Sequence, residues 1–279
     1  MANDRGLIAV FDSGIGGLTL VKALLARAPA TSIVYFGDTA RLPYGSKSDA
    51  TIIRQSLECL RFLLGFDPDR IVVACNTASS IALPSLIQAI ERPVVGVIDA
   101  AVTTALAMTR NRRIGILGTA ATIRSGGYER RLRERQPDLE LVSQACPLFV
   151  PLVEEGWTDH DVTRRVAREY LEPVLARGVD TLILGCTHYP LLSSILAEVA
   201  GPDVTLIDTG AETAREIAAG LPAGTGRGTM RFFVSDVPSR FEINGDRFLG
   251  RPLGPVTLIS QSDVPWYARR PAESQGESE

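Results

Sequence analysis

Histidine is nearly absent from this chain. His160 and His188 are the only two in 279 residues, so a zinc site of three or four Cys/His ligands is hard to assemble. Lysine is as scarce: two of the 29 basic side chains are lysines, Lys22 and Lys47. A pyridoxal-phosphate enzyme needs a lysine for its Schiff base, and these two fall in the first helix pattern and in a loop. The four cysteines, at 59, 75, 146 and 186, are too few for a disulfide scaffold and form no CxxC pair. Excess positive charge is missing too. With a net charge of −3 there is no basic stripe for nucleic acid, and the one basic cluster, Arg124 to Arg135, alternates with Glu129 and Glu134 as a solvated helix face would. No apolar run approaches the ~18 residues of a membrane span. Met1 to Gly6 is polar and leads straight into a strand pattern without a secretory signal, so the expected location is cytoplasmic, with no membrane or nucleic-acid partner.

What is present is an ordinary globular composition, 45% hydrophobic and 22% charged, and two stretches that carry chemistry. Thr181 to Leu184 is a short apolar run ending in Gly185, Cys186, Thr187 and His188. Ile71 to Ala74 is another, ending in Cys75, Asn76, Thr77, Ala78, Ser79 and Ser80. Open α/β sheets bind ligands outside the carboxyl ends of their strands, which is where both thiols fall.

Taken in order, Leu7 to Phe11 reads as a strand, followed by a turn from Asp12 to Gly17 and a helix from Leu18 to about Pro29. A strand at 33–36, a loop at 37–48, a helix capped by Ser48, the Cys75 strand, a helix interrupted near Pro84 and a strand at 93–98 complete a doubly wound unit. A second series repeats the scheme. Ala100 to Met108 is helical, and a strand at 114–117 runs into the small-residue turn Gly118 to Thr122. The Arg-rich helix follows, then a strand at 139–142, a long helix from Asp159 to Ala176, the Cys186 strand and a strand at 204–207. Asp12 to Cys75 spans 63 residues and Thr119 to Cys186 spans 67, as two pseudo-repeated halves would. A strand at 230–234, and runs at 248–250 and 256–259 that read as a final structured piece, suggest a segment returning to the first half. The expected architecture is α/β, two pseudo-symmetric doubly wound domains with the active site in the cleft between them. Their expected extents are 1–99 plus 210–270 and 100–209, with a polar, disordered tail at 271–279.

Two thiols facing each other across a cleft suit inversion at a carbon stereocentre: one takes the proton from one face, the other delivers a proton to the opposite face. The thiolate is the active form, and its free pKa of ~8.5 is expected to be lowered by helix N–H dipoles beyond the strand end. Developing carboxylate charge needs donors, and Ser13, Asn76, Thr77, Thr119, Thr122 and Thr187 all fall at strand ends. His188, two residues from Cys186, reads as its proton partner. Cys59, among Leu57, Leu60 and Leu63, and Cys146, beside Pro147, read as packing residues. The turn from Gly14 to Gly17 lacks the third glycine of a dinucleotide fingerprint, and Asp12 ahead of it would oppose a phosphate.

Phe11 to Leu18 (FDSGIGGL), Ala74 to Ser79 (ACNTAS) and Gly185 to Pro190 (GCTHYP) resemble three motifs of the glutamate racemases, within the aspartate/glutamate racemase family. Tyr35 to Tyr44 (YFGDTARLPY), Pro147 to Gly156 (PLFVPLVEEG) and the turn at Gly118 extend the resemblance in order from residue 7 to about 250. It implies a two-domain, cofactor-independent, two-base racemase that supplies D-glutamate for peptidoglycan, with no metal. Cys75 and Cys186 would be the acid/base thiols, assisted by Asp12 and His188. Asp12, Ser13, Tyr44, Gly45, Asn76, Thr77, Thr119, Thr122, Thr187 and His188 would line the glutamate pocket. A site glutamate is implied at 154 or 155, with Glu154 preferred. Thr209 stands where many members have Ser, and a homodimer is expected. Lacking a long N-terminal extension, the chain is not expected to be regulated by a cell-wall precursor through one. The competing readings are a racemase of the same superfamily acting on aspartate or another small acid, and a binding or regulatory protein with idle thiols.

Overall fold

The computed structural model describes residues 6–221, 224, 226–259 and 267. The tail expected at 271–279 lies outside them. The first series of elements is β1 Ile8–Asp12, α1 Leu18–Arg27, β2 Ile33–Gly37, α2 Asp49–Leu64, β3 Arg70–Val73, α3 Asn76–Ile81, α4 Leu83–Ala89 and β4 Val94–Gly96. The second is α5 Ile98–Met108, β5 Arg113–Gly118, α6 Ala120–Ser125, α7 Gly127–Arg135, β6 Glu140–Ala145, α8 Phe149–Glu154, α9 Asp161–Leu175, β7 Thr181–Gly185, α10 Ser193–Ala200 and β8 Thr205–Asp208. The chain then adds α11 Thr209–Ala219, β9 Met230–Val234, α12 Pro238–Leu249 and β10 Val256–Leu258.

Two parallel sheets result. One has the order β10-β9-β2-β1-β3-β4 and the other β6-β5-β7-β8. The first four strands pair as 2-1-3-4 and the second four as 6-5-7-8, so each half repeats one connectivity. The expected two-domain α/β architecture is borne out in this equivalence. β3 and β7 occupy matching places, and the thiols just beyond them therefore do as well. In each half the strand order reverses between the first and third strands, which makes a topological switch point.

The strands are near-continuous apolar runs because helices cover both faces of a parallel sheet. Along β1, Ile8 and Val10 pack with Leu18, Leu20 and Leu24 of α1, while Ala9 and Phe11 pack on the other face with Ile52 and Phe62 of α2. Helix starts carry their own donors' partners. Ser48 accepts from Thr51 N at 3.4 Å, Thr119 from Thr122 N at 3.2 Å, and Asp208 from Gly210 N and Ala211 N at 2.9 and 3.0 Å. Pro84 sits in the first turn of α4, where its missing N–H costs nothing, and so separates α3 from α4.

The return segment is fastened by rings. Phe233 of β9 lies 5.5 Å from Phe62 and 5.0 Å from Phe66, contacts worth about 0.5–1.5 kcal/mol each beyond their burial. The piece expected at 248–250 is the end of α12 and the glycine that closes it, and the run at 256–259 contains β10. Phe241, Phe248 and Leu249 give that helix its buried stripe. No helix among the described residues is long and apolar enough to cross a membrane.

Candidate active site

The cleft is lined by the ends of β1, β3, β5 and β7. Ser13, Gly14, Tyr44, Gly45, Cys75, Asn76, Thr77, Thr119, Glu154, Cys186, Thr187 and His188 all face one cavity of about 40 Å³. That volume holds a few waters, so a substrate as large as a dicarboxylic amino acid must part the walls to enter. Asp12 and Thr122 lie directly behind the lining, each 1% exposed. The walls come from both halves. Gly45, in the short turn Tyr44–Ser46, packs so closely on Thr119 that a Cβ there would stand 2.7 Å from the Thr119 Cβ.

Cys75, two residues beyond β3 at the start of α3, donates to Ser13 Oγ at 3.5 Å. Burial is the main influence on it and raises its pKa to about 11; Asp12 raises it further, while the Ser13 hydroxyl and the Ala78 and Ser13 N–H groups oppose the rise. Burial also pushes up Cys186, against the backbone N–H of His188, with smaller upward contributions from Cys75, Asp12 and Cys146. The expectation of lowered thiol pKa values is thus corrected. In the closed cleft, desolvation outweighs the helix and turn N–H groups, and both thiols are held protonated.

Asp12 accepts from Gly14 N at 3.0 Å through Oδ2, and its buried Oδ1 has no hydrogen-bond partner among the described residues. Burial raises its pKa, opposed by His188 and by neighbouring backbone N–H groups. A buried carboxylate with an open lone pair beside a thiol is poised to accept a proton or an ammonium. On the other side, His188 Nε2 lies 3.2 Å from Glu154 Oε1, its Nδ1 3.4 Å from Thr187 Oγ1, and Phe248 meets the ring edge-on at 5.1 Å. The hydroxyls of Thr77, Thr119 and Thr122 form a ring, 2.9–3.0 Å apart, that joins α3 to α6 across the cleft. Three hydroxyls on each other's lone pairs can be turned together toward an anion.

Against known proteins, the model of the Asp/Glu/hydantoin racemases matches residues 18–217. The chain belongs to that family. A glutamate racemase of Geobacter metallireducens is 49% identical over 259 residues, which cover 91% of this racemase-family chain and 96% of that protein. Two crystal structures superpose on 92% of this chain and 98% of theirs at 37% identity. A glutamate racemase isoform from Bacillus anthracis does so with a TM-score of 0.88, and the Francisella tularensis glutamate racemase in complex with D-glutamate with 0.86.

Two features of this family member were missed from sequence. Cys59 is buried but not among leucines alone: its Sγ lies 3.6 Å from Arg41 Nη2 and 3.8 Å from the Tyr44 hydroxyl. Asp38 gathers that group, accepting from Tyr44 at 2.5 Å, from Arg41 Nε at 2.8 Å and from Ser235 Oγ at 3.0 Å. The cluster braces the Tyr44 turn and ties it to the return segment. The FGD context of Asp38 signals only a turn; Arg41 and Tyr44 are near in sequence, but Cys59 and Ser235, which complete the cluster, come from farther along the chain.

The glycine turn sets the other wall. A Cβ on Gly16 would fall 2.0 Å from Thr187 Oγ1 and 2.7 Å from His188 Nδ1. Gly16→Ala is therefore expected to displace both side chains and to lower kcat/KM by about 10² while the protein stays folded. Steady-state kinetics beside a thermal melt test this; unchanged kinetics in the folded variant would contradict the geometry.

Proposed function

We propose that this protein is a glutamate racemase that interconverts L- and D-glutamate by two-base proton transfer between Cys75 and Cys186, without a cofactor. The observation that carries the reading is the equivalent placement of the two thiols after β3 and β7, both facing one cavity. A thiolate on one face removes the Cα proton, and the opposing thiol protonates the resulting carbanion from the other face. The roles exchange in the reverse direction. Asp12 serves Cys75, and His188, oriented by Glu154, serves Cys186, so that a proton can be drawn from either thiol once substrate widens the cleft. Asn76, Thr77, Thr119 and Thr122 supply donors for the α-carboxylate, whose charge grows as Cα is deprotonated. Ser13, Tyr44, Gly45 and Thr187 complete the pocket. Glutamate is favoured as substrate because the relatives of high identity are named glutamate racemases and one structural neighbour holds D-glutamate. With that reading come a cytoplasmic location, D-glutamate for peptidoglycan and a homodimer, each resting on the family resemblance.

The test is solvent exchange. Incubated in D2O with L- or D-glutamate and no added cofactor, the protein should racemise either enantiomer and place deuterium at Cα of the product. A well-folded protein that leaves glutamate unexchanged would remove the substrate assignment, and aspartate would be the next acid to try.

A further inference from the structure

We propose that Tyr128 is a positioning residue that locks the side-chain amide of Asn76 with its N–H group toward the substrate carboxylate. The inference rests on the racemase reading above. Tyr128 comes from α7 of the second half, is 1% exposed, and reaches across to Asn76 of the first half, which is 2% exposed. Its hydroxyl donates to Asn76 Oδ1 at 2.5 Å. Asn76 Nδ2 donates to Thr209 Oγ1 at 3.3 Å, and Thr209 Oγ1 donates to the Leu184 carbonyl at 3.4 Å.

The direction of this chain is fixed at its far end. A backbone carbonyl only accepts, so a Thr209 hydroxyl that donates to Leu184 is left to accept from Asn76. The amide nitrogen therefore faces Thr209 and the amide oxygen faces Tyr128. A flipped amide would draw the Thr209 proton to its oxygen and leave the Leu184 carbonyl without it, so the arrangement that satisfies every group keeps the amide oxygen on Tyr128. One Nδ2 proton is used by Thr209. The other is available to the cavity that Asn76 lines beside Cys75 and Cys186. The substrate's carboxylates only accept, so an amide that faced one with its oxygen would repel it, while the α-ammonium, a donor, is left to the Asp12 carboxylate.

Close packing holds Tyr128 in this place. A Cβ on Gly185, the residue before Cys186, would stand 3.2 Å from Tyr128 Cε2, and one on Gly127 would stand 3.1 Å from Ser80 Cβ of the opposite half. The small residues at both positions let α7 approach the cleft floor closely enough for the hydroxyl to reach Asn76. Tyr128 thus sits behind both thiols, against the strand end of one and bonded to the neighbour of the other.

Tyr128→Phe keeps the ring and removes only the proton that orders the amide. It is expected to raise KM for both enantiomers about tenfold and to lower kcat as well, because the lost donor meets a carboxylate whose charge grows in the transition state. Thr209→Val breaks the other end of the lock and should do the same, whereas Thr209→Ser, which keeps the hydroxyl, should match wild type. The double variant Tyr128→Phe/Thr209→Val should be no worse than the poorer single one, since the amide can be freed only once. Thermal melts accompany the kinetics, because a merely structural tyrosine would lower Tm and leave KM alone. If Tyr128→Phe does not fold, the Thr209 pair carries the test. Active wild type with KM unchanged in folded Tyr128→Phe or Thr209→Val overturns this inference alone; wild type inactive on glutamate overturns the racemase reading with it.

Discussion

Substituting serine for Cys75, or for Cys186, should lower racemisation of glutamate by about 10³-fold or more in both directions. A serine hydroxyl fills almost the same space, so the buried strand ends keep their packing and the protein should melt near the wild-type temperature. What is lost is a group acidic enough to yield its proton to Asp12 or His188, and with it one of the two proton-transfer steps. Both directions must suffer alike. Enantiomers are equal in free energy, so kcat/KM for L- and D-glutamate remain tied to each other whatever the variant. Half-reactions need not be equal. With Cys75 left alone, only the enantiomer that turns its Cα proton toward Cys75 should exchange with solvent, and it should do so without inversion. With Cys186 left alone, the other enantiomer should behave that way. Circular dichroism for inversion and NMR for Cα exchange separate the two events. A folded variant of either cysteine that still racemises within tenfold of wild type would remove the two-base mechanism.

Much of this arrangement was legible in the sequence, for local reasons. Parallel strands buried on both faces are written as continuous apolar runs, so β1, β2, β3, β7 and β9 could be located within a residue or two. The segments that leave those strands are local as well: the polar residues at 12–13, 75–77, 119–122 and 186–188 had to fall at the sheet's carboxyl edge. The similar spacing of turn and thiol in the two halves, 63 and 67 residues, reflects the shared 2-1-3-4 connectivity.

The features hidden from the sequence depend on contacts between distant segments. Helix α12 was obscured because Gly245 and Asn244 weaken its helical pattern, and Gly245 is there because Leu253 packs where a Cβ would be. Tyr128 stands in an arginine-rich stretch that reads as a solvated face, and only the approach of α7 to α3 turns its hydroxyl inward. The thiol pKa values were misjudged for the same reason. Helix N–H groups are visible in a sequence, but the degree of desolvation is set by how tightly two domains close over the site.

That desolvation predicts a steep loss of stability above pH 9. Burial raises Cys75 to about 11 and Cys146 to about 12, pushes up Cys59 and Cys186, and holds the hydroxyls of Tyr35, Tyr44, Tyr128 and Tyr189 above their ordinary range. Below the ordinary thiol value of 9.0, native and unfolded states hold the same protons and the contribution is fully present. Above it the unfolded thiols ionise while the native ones do not. The unfolded state then binds fewer protons, and stability falls with rising pH until the folded values are passed. Each thiol contributes up to about 1.4 kcal/mol per pH unit, so four contribute roughly 5 kcal/mol between pH 9.5 and 10.5, against a typical reserve of about 5–15 kcal/mol. Urea midpoints measured at intervals from pH 7.5 to 10.5 should stay level to about pH 8.5 and then drop. The slope also reports on the cleft. Cys59 and Cys146 lie outside it and count in any case, but Cys75 and Cys186 count only while it stays closed in the free protein. Between pH 8.5 and 9.5, below the range in which unfolded tyrosines (ordinary value 10.0) add their own share, a slope near that of four thiols means the closed form predominates in solution; half that slope means the cleft is open and its thiols already titrate in the native state. A midpoint unchanged to pH 10.5 would mean that the folded protein lets all four ionise, and the protonated resting state argued for both thiols would fall with it.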